Sequence, residues 1–417
     1  MEWLADDHAP SLVVEISDAE DSDVDGEELS EGSEATESSS QTRVPSTQLT
    51  FEYSDSEELS EITNEESQIV LELPPADRKR KLGRRAQFEG ARPVKRLKDK
   101  TLPYCGLPDH TMNALLHFAV PWQLLHILAI VFHRFGFGDP ERDPEVDCVE
   151  YFCGLGMVHK SLMKRGRRCL GYDIAHGVSQ DLNSPAGWIT AVLWCLRIAS
   201  GIGLSWLGTV CSSFVCVCRA STRRSIANPR GDTRSGSVRE GNRHAARSAA
   251  IAAICYSRLV TWILEQPLSS LLLHHPAFVH IQRKAVELGM RFIRIETYQG
   301  PFGADTLKPT MLVCSDLCIS AMKRQHPGHA AFGPSNSCTK GTSANGRKTY
   351  TGNKDELKAT QTYSKQFGEA VADMFINRLD HQQSSHNYIT SRADLSDIDP
   401  WADADFDEAL DWLKSQL

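Results

Sequence analysis

The pattern of apolar and polar residues divides the chain into a polar beginning, an apolar middle and a polar end. From about residue 101 onward, apolar residues recur at helical spacing or in short runs bounded by glycine, proline and polar residues. The short runs predict strands over residues 146–152, 169–174, 204–210, 259–264, 292–298 and 311–315. Helical spacing predicts helices over residues 115–135, 157–166, 187–200, 238–256, 276–288 and 364–379. This alternation predicts an α/β fold, in which a mostly parallel sheet carries helices on both faces.

The first hundred residues change charge abruptly. Residues 1–77 hold 23 acidic residues against one arginine, are rich in serine and have few apolar residues, which predicts a disordered acidic tail. Residues 78–100 hold 11 Lys and Arg against two acidic residues and form a basic linker. Basic clusters of this kind indicate a nuclear import signal or a nucleic-acid-binding arm, so we expect nuclear localisation. The alternative is that the linker pairs with the acidic tail.

The remaining boundaries follow composition. Residues 101–145 are a predicted helical lead-in, and residues 146–380 are a ligand-binding domain with a small polar insertion at 316–355. Residues 381–417 form an acidic tail, in which Trp401, Phe406 and Leu410 predict a short amphipathic helix that docks on a protein partner. An unstructured terminus is the alternative. The most apolar early stretch, 119–132, is too short to span a membrane and predicts a core helix.

The net charge of −9 conceals a basic middle, because residues 101–393 carry +11. A basic domain suits a polyanionic partner such as DNA or RNA, although +11 over this length is only mildly basic. The 12 cysteines form no paired CxxC pattern, so we expect no metal site and reduced thiols inside a cell.

A glycine turn follows the first predicted strand. Phe152, Gly154 and Gly156 lie where the strand ends and a helix begins, so the backbone can approach a nucleotide-like ligand. Asp173 ends the next strand, where a carboxylate accepts hydrogen bonds from ribose hydroxyls. Asp181 follows within reach of an adenine amino group. The order of these residues predicts an adenosine-containing cofactor, and the missing third glycine disfavours a dinucleotide.

Two reactive side chains follow later strands, at the edge where open α/β sheets bind substrates. Cys211 follows the strand 204–210 and is a candidate nucleophile, with Arg219, Arg223 and Arg224 in the loop behind it to stabilise a thiolate. The alternative for Cys211 is a small buried residue. Glu265 ends an apolar strand, two residues before Pro267. It is a candidate general acid, which would protonate a heterocyclic base while a sulfur nucleophile attacks that base.

In order and spacing, these motifs resemble DNA cytosine-5 methyltransferases over roughly residues 146–380. Residues 152–156 are similar to the first motif of that family, Cys211 to its Pro-Cys nucleophile and Glu265 to its Glu-Asn-Val glutamate. Residues 366–372 are similar to its closing Gln-x-Gly-Asn-x-Val-Pro motif, and Lys308 lies where it has an arginine-rich motif. Val210, Gln266 and Glu369 differ from the letters of these motifs.

The resemblance implies a Rossmann-like SAM-dependent methyltransferase fold with S-adenosyl-L-methionine (SAM) as cofactor. It implies that Cys211 adds to C6 of a cytosine, which a duplex must flip out, while Glu265 contacts N3 and the exocyclic amine. The residues that it implies for the cofactor site are Phe152, Gly154, Gly156, Asp173, Asp181, Gly368 and Val371. The residues expected to bind nucleic acid are Arg219, Arg223, Arg224, Arg230 and Lys308.

Three hypotheses follow. The first is a cytosine-5 methyltransferase of DNA or RNA. The second is a SAM methyltransferase with another substrate, in which Cys211 is structural. The third is a non-catalytic nuclear scaffold of the same fold, recruited through its acidic tails.

Overall fold

A computed structural model describes residues 49–53, 107–134, 146–327, 338–342, 348–352, 361–381 and 399–416 of the 417-residue chain. The basic linker and most of the acidic N-terminal tail lie outside these ranges, so the expectations for them stay predictions.

Within the described ranges, the chain forms nine strands. In chain order they are β1 (Leu49–Tyr53), β2 (Cys148–Tyr151), β3 (Cys169–Tyr172), β4 (Leu204–Leu207), β5 (Thr261–Pro267), β6 (Ile293–Tyr298), β7 (Pro309–Cys314), β8 (Cys338–Thr342) and β9 (Lys348–Gly352). Six of them form a central sheet in the order β3-β2-β4-β5-β7-β6. Neighbouring strands from β3 to β5 pair in parallel, whereas β7 is antiparallel to both β5 and β6. The predicted α/β fold with a mostly parallel sheet is therefore confirmed.

The helices are α1 (Asp109–His117), α2 (Trp122–Arg134), α3 (Met157–Met163), α4 (Pro185–Arg197), α5 (Arg219–Thr222), α6 (Gly236–Ser257), α7 (Pro276–Glu287), α8 (Lys365–His381) and α9 (Phe406–Ser415). They cover the central sheet on both faces. Successive residues of a strand point to opposite sides of the sheet, so neighbouring residues pack against helices on different faces. Trp206 packs in one apolar cluster with residues of α3 and α8, while Leu207 packs in the other with residues of α4 and α6. Ile263 and Leu264 divide between the two clusters in the same way.

The predicted helix over residues 115–135 is two helices, α1 and α2. Ala119 has a positive φ of 46°, and Pro121 lies just before α2. A proline cannot donate the backbone hydrogen bond that an uninterrupted helix needs at this position, so it starts a new helix instead. The apolar spacing continues across the break, which explains why the pattern predicted one element.

The insertion at 316–355 is not a loop throughout. Residues Leu317–Met322 form a 3-10 helix, and β8 pairs with β9 in a small antiparallel sheet. The third strand of that sheet is β1, which lies within the segment predicted to be disordered. The prediction is therefore wrong for residues 49–53, because a strand can take its backbone partners from distant segments whatever its local charge.

The C-terminal segment packs onto its own chain. The Phe406 ring lies 5.6 Å from the Trp188 ring, and Trp401 donates a hydrogen bond from Nε1 to the Ala119 carbonyl at 3.0 Å. Leu410 is also buried. The predicted amphipathic helix exists as α9, but the apolar residues expected to dock on a protein partner are covered by the domain itself.

Candidate functional site

The site lies at the carboxyl edge of the sheet, where the strand order reverses. The chain runs from β2 to β3 on one side and later returns to β4 on the other side of β2. The loops after β2 and β4 therefore diverge and leave a crevice between them, which is where open α/β sheets bind ligands. The first loop holds the glycine turn, and the second holds Cys211.

The glycine turn is built from residues with positive φ. Phe152, Gly154 and Gly156 have φ values of 57°, 51° and 70°, and Gly156 caps the start of α3. A Cβ at Gly156 would collide with the His159 ring, whereas one at Gly154 would meet nothing within 4 Å. The backbone at Gly154 therefore faces open space, as a close-bound ligand requires.

Glu150, a fully buried residue of β2, caps the N-terminus of α3. Its carboxylate accepts hydrogen bonds from the backbone N–H groups of His159 at 2.8 Å and Val158 at 3.4 Å, and Oε2 lies 2.7 Å from His159 Nδ1. In dinucleotide-binding folds, a pyrophosphate occupies this helix N-terminus. Here a carboxylate already uses the N–H groups of Val158 and His159, so these donors are not free to bind a phosphate.

The first acidic residue holds the turn in place. Asp173 accepts a hydrogen bond from Gly154 N–H through Oδ2 and from Ala175 N–H through Oδ1, each at 2.9 Å. Next to it, the Ile174 side chain is 61% exposed, which offers an apolar surface beside the carboxylate. Each carboxylate oxygen keeps acceptor capacity for a ligand hydroxyl.

The second acidic residue, Asp181, lies near His244, which sequence analysis did not predict as a site residue. Asp181 accepts a hydrogen bond from Asn183 N–H at 2.9 Å. His244 of α6 packs its ring edge-to-face on Phe152, 5.2 Å between centroids. Burial lowers the pKa of His244 to about 4, although the negative charge of Asp181 opposes the shift. His244 is therefore neutral at pH 7.

Cys211 lies in the loop after β4. Its carbonyl accepts hydrogen bonds from Phe214 N–H at 2.8 Å and Val215 N–H at 3.2 Å, which fix a tight turn. Burial and the charge of Glu265 raise the pKa of the thiol to about 11, while the positive charge of Lys308 lowers it. Cys211 is therefore a neutral thiol at pH 7 within electrostatic range of both side chains.

Two hydrogen-bond donors and one cation surround the buried Glu265 carboxylate. Lys308 Nζ lies 3.6 Å and Gln299 Nε2 3.3 Å from Oε1, and the Tyr363 hydroxyl donates to Oε2 at 3.1 Å. The next residue, Gln266, donates to the Thr209 carbonyl at 2.6 Å and so ties β5 to the loop that carries Cys211. Lys308 therefore pairs with Glu265, and the charges of both act on the Cys211 thiol.

Tyr363 links this group to the other loop. Its hydroxyl accepts a hydrogen bond from Trp206 Nε1 at 3.3 Å, and its ring stacks on Phe367 of α8. A Cβ at Gly208 would lie 3.0 Å from the Tyr363 hydroxyl and 3.3 Å from the Phe152 carbonyl. The Cys211 loop, the residue before the glycine turn and Tyr363 therefore meet at Gly208.

Gly368 and Val371, the two predicted site residues of the closing motif, pack against the helix that follows the glycine turn. A Cβ at Gly368 would collide with the Met157 carbonyl at the start of α3, so glycine allows α8 to pack closely there. Val371 is fully buried in the apolar cluster that contains Val158 and Leu162. The prediction that Gly368 and Val371 contact the cofactor is therefore corrected, because both residues pack against α3, which follows the glycine turn.

The predicted phosphate-binding arginines are not equivalent. Arg224 is 2% exposed, and its guanidinium donates to Asn242 Oδ1 at 2.8 Å and Ser213 Oγ at 3.0 Å. Burial lowers its pKa to about 10. Arg230 pairs with Asp403 at 2.7 Å. The prediction for these two is corrected, because Arg224 fixes the loop internally and Arg230 holds the C-terminal segment.

The other two arginines remain nearer the surface. Arg223 is exposed, with its Nε 3.8 Å from Asp232 Oδ2, and Arg219 is half-buried at the start of α5. An exposed pair at this distance contributes little stability, and the expectation that Arg219 and Arg223 bind nucleic acid stays a prediction.

Sequence reasoning missed Glu150, His159, Gln299 and Tyr363. A glutamate inside an apolar strand just before a glycine turn is a usable signal for Glu150, because an acidic residue is seldom buried without a partner. Gln299 and Tyr363 reach Glu265 only through long-range packing, so nothing in the local sequence marks them.

Comparisons with protein-family models, with curated proteins and with solved structures find no match to this chain. Across the described ranges, no helix combines the length and apolarity needed to cross a membrane. In the same ranges, no three His, Cys, Asp or Glu side chains are grouped to hold a metal ion.

Proposed function

We propose that the chain is a SAM-dependent methyltransferase that methylates cytosine at C5 in DNA or RNA. The observation that carries this proposal is the position of two unlike groups at one switch point. The glycine turn with Asp173 lies on one side, and Cys211 with Glu265 and Lys308 lies on the other. Gly208 brings the two loops into contact.

The cofactor half fits SAM by its chemistry. Asp173 and Asp181 supply acceptors for ribose hydroxyls and an amino group, and Ile174 supplies an apolar surface for a heterocycle. The open backbone at Gly154 leaves room for the ligand, while Glu150 takes the donors that a phosphate would need. SAM, when bound, supplies the methyl group.

The substrate half fits attack on a pyrimidine. The Cys211 sulfur forms a bond to C6, and the proton that the thiol loses is carried by the Glu265 carboxylate to N3. The electron pair of the C5–C6 double bond shifts towards C4, which makes C5 nucleophilic. Glu265 faces N3 and the exocyclic amine. After C5 has gained its methyl group, loss of the C5 proton expels the Cys211 sulfur and restores the ring. The Lys308 ammonium favours the thiolate, because it lowers the pKa of Cys211.

A second candidate is a SAM methyltransferase with another substrate. The pKa of about 11 for Cys211 favours it, since the thiol is protonated at pH 7 before any substrate binds. Under the first proposal, substrate binding must therefore deprotonate the thiol. Under the second, Cys211 never becomes a nucleophile.

Covalent trapping separates the two candidates. A 5-fluorocytosine base cannot lose its C5 substituent as a proton, so the enzyme stays attached to it. We expect full-length protein with SAM to form a denaturation-resistant complex with fluorinated DNA or RNA of mixed sequence. Cys211→Ser should abolish the complex, whereas Cys218→Ser, a matched half-buried cysteine of the same loop, should keep it. Methyl transfer that survives Cys211→Ser would establish the second candidate, and absence of any turnover would favour a non-catalytic scaffold.

A further inference from the structure

The buried amide of Gln299 lies beside Glu265 with its oxygen unused. Its Nε2 donates hydrogen bonds to Glu265 Oε1 and to Thr310 Oγ1, each at 3.3 Å. The side chain is fully buried, and Oε1 has no hydrogen-bond partner among the described residues. A buried acceptor without a donor is destabilising, and such a group is uncommon in folded proteins without a functional reason.

The surroundings of Gln299 fix which way its amide points. The Thr310 hydroxyl donates its hydrogen to the Lys308 carbonyl at 3.0 Å, so towards Gln299 it can only accept. Glu265 Oε1 is likewise an acceptor. Exchanging the oxygen and nitrogen of the amide would place Gln299 Oε1 against both acceptors, so the orientation with Oε1 unpaired is the favoured one.

The Glu265 carboxylate accepts two hydrogen bonds, from Gln299 on Oε1 and from Tyr363 on Oε2. A carboxylate offers about four acceptor positions, so each oxygen keeps one. The one on Oε1 faces the Lys308 ammonium, 3.6 Å away, so the acceptor left for a ligand is on Oε2. A single amino group carries two N–H donors. Glu265 Oε2 and Gln299 Oε1 each have one unused acceptor position, so together they match such a group.

We propose that Gln299 is a specificity-determining residue that accepts one N–H of the exocyclic amine of the target base. This inference rests on the proposed function and extends it. Glu265 Oε2 accepts the other N–H. Uracil and thymine carry a carbonyl oxygen in place of the amine, and that oxygen would face the Gln299 acceptor without a hydrogen between them. The site therefore selects an amino-bearing pyrimidine over a carbonyl-bearing one.

The test compares trapping rates on matched oligonucleotides that contain 5-fluorocytosine or 5-fluorouracil. Wild-type protein should trap on the cytosine strand faster. Gln299→Met keeps the length of the side chain but removes the acceptor, so the cytosine-to-uracil ratio should fall by about 10-fold to 100-fold. Gln282→Met, at a partly exposed glutamine of α7, is the control and should leave the ratio unchanged.

A second variant guards against misfolding of the first. Thr310→Val removes the hydroxyl that orients the Gln299 amide, and the ratio should fall by a smaller factor, about threefold to tenfold. Thr297→Val is its matched control, because Thr297 pairs with Thr310 in register but bonds to the Met322 carbonyl. Unchanged ratios in folded Gln299→Met and Thr310→Val proteins would overturn the inference while leaving the proposed function intact. Absence of trapping by wild-type protein on either base would overturn the proposed function and the inference with it.

Discussion

The two halves of the site are assembled in different ways. The proposed cofactor half is local, because Glu150, Gly154 and Asp173 come from β2, the loop after it and the end of β3. The proposed substrate half collects Cys211, Glu265 and Tyr363 from segments far apart in the chain. A local site is fixed as soon as its strands form, whereas a dispersed one depends on the whole domain. Variants should therefore affect one half without the other.

The largest expected effect is on the substrate half. Glu265→Gln removes the charge that faces the target base, and we expect the rate of methyl transfer to fall by about 10³-fold. The affinity for SAM, measured by calorimetry, should stay within about twofold, since Asp173 and the glycine turn are untouched. Glu296→Gln, at a surface glutamate of β6 that pairs with Arg294, should leave both quantities unchanged. A parallel loss of SAM binding in Glu265→Gln would show that the halves are not separate.

A smaller effect in the opposite half sharpens the comparison. Asp173→Asn weakens the acceptor for ribose hydroxyls, so we expect SAM affinity to fall about 10-fold to 100-fold. The rate at saturating SAM should change little.

Asp316→Asn is the matched control for Asp173→Asn. Asp316 begins a 3-10 helix and accepts from Cys318 N–H at 2.9 Å, as Asp173 does from Ala175 N–H. Equal loss of SAM affinity in both variants would mean that a general effect on folding, and not cofactor contact, explains the result.

The smallest effect concerns stability and pH. Burial lowers the pKa of His244 to about 4 and also lowers the pKa values of His275 and His280. Unfolded histidine titrates near pH 6.5, so below that pH the unfolded chain binds more protons than the folded one. The free energy of unfolding should therefore fall as pH falls from about 6.5 towards 4.

Urea denaturation at pH 7.5 and pH 5 measures this dependence. In His244→Gln, the number of protons taken up on unfolding should be smaller by about one, because one of the buried titrating groups is removed. The exposed His133 provides the control variant, His133→Gln, which should keep the wild-type dependence. If His244→Gln lost more stability than wild-type protein between pH 7.5 and pH 5, burial of His244 could not be a cause of the pH dependence.

The sequence predicted the sheet and the glycine turn because those signals are local. Glycines at 154 and 156, acidic residues after strands and alternating apolar runs each reflect the backbone geometry around them. Arg224 and Arg230 were misassigned, since a count of basic residues does not distinguish an arginine buried against Asn242 from one that faces solvent. Tyr363 could not be predicted, because its hydrogen bond to Glu265 spans 98 residues of chain.

The central claim is that a cysteine beside the glycine turn attacks the target base. Mass spectrometry of peptides from the protein trapped on 5-fluorocytosine tests it most directly. We predict that the fluorinated nucleotide is attached to the peptide that contains Cys211 and that the adduct depends on SAM. An adduct on another cysteine, or SAM-dependent methylation of cytosine without any adduct, would contradict the account.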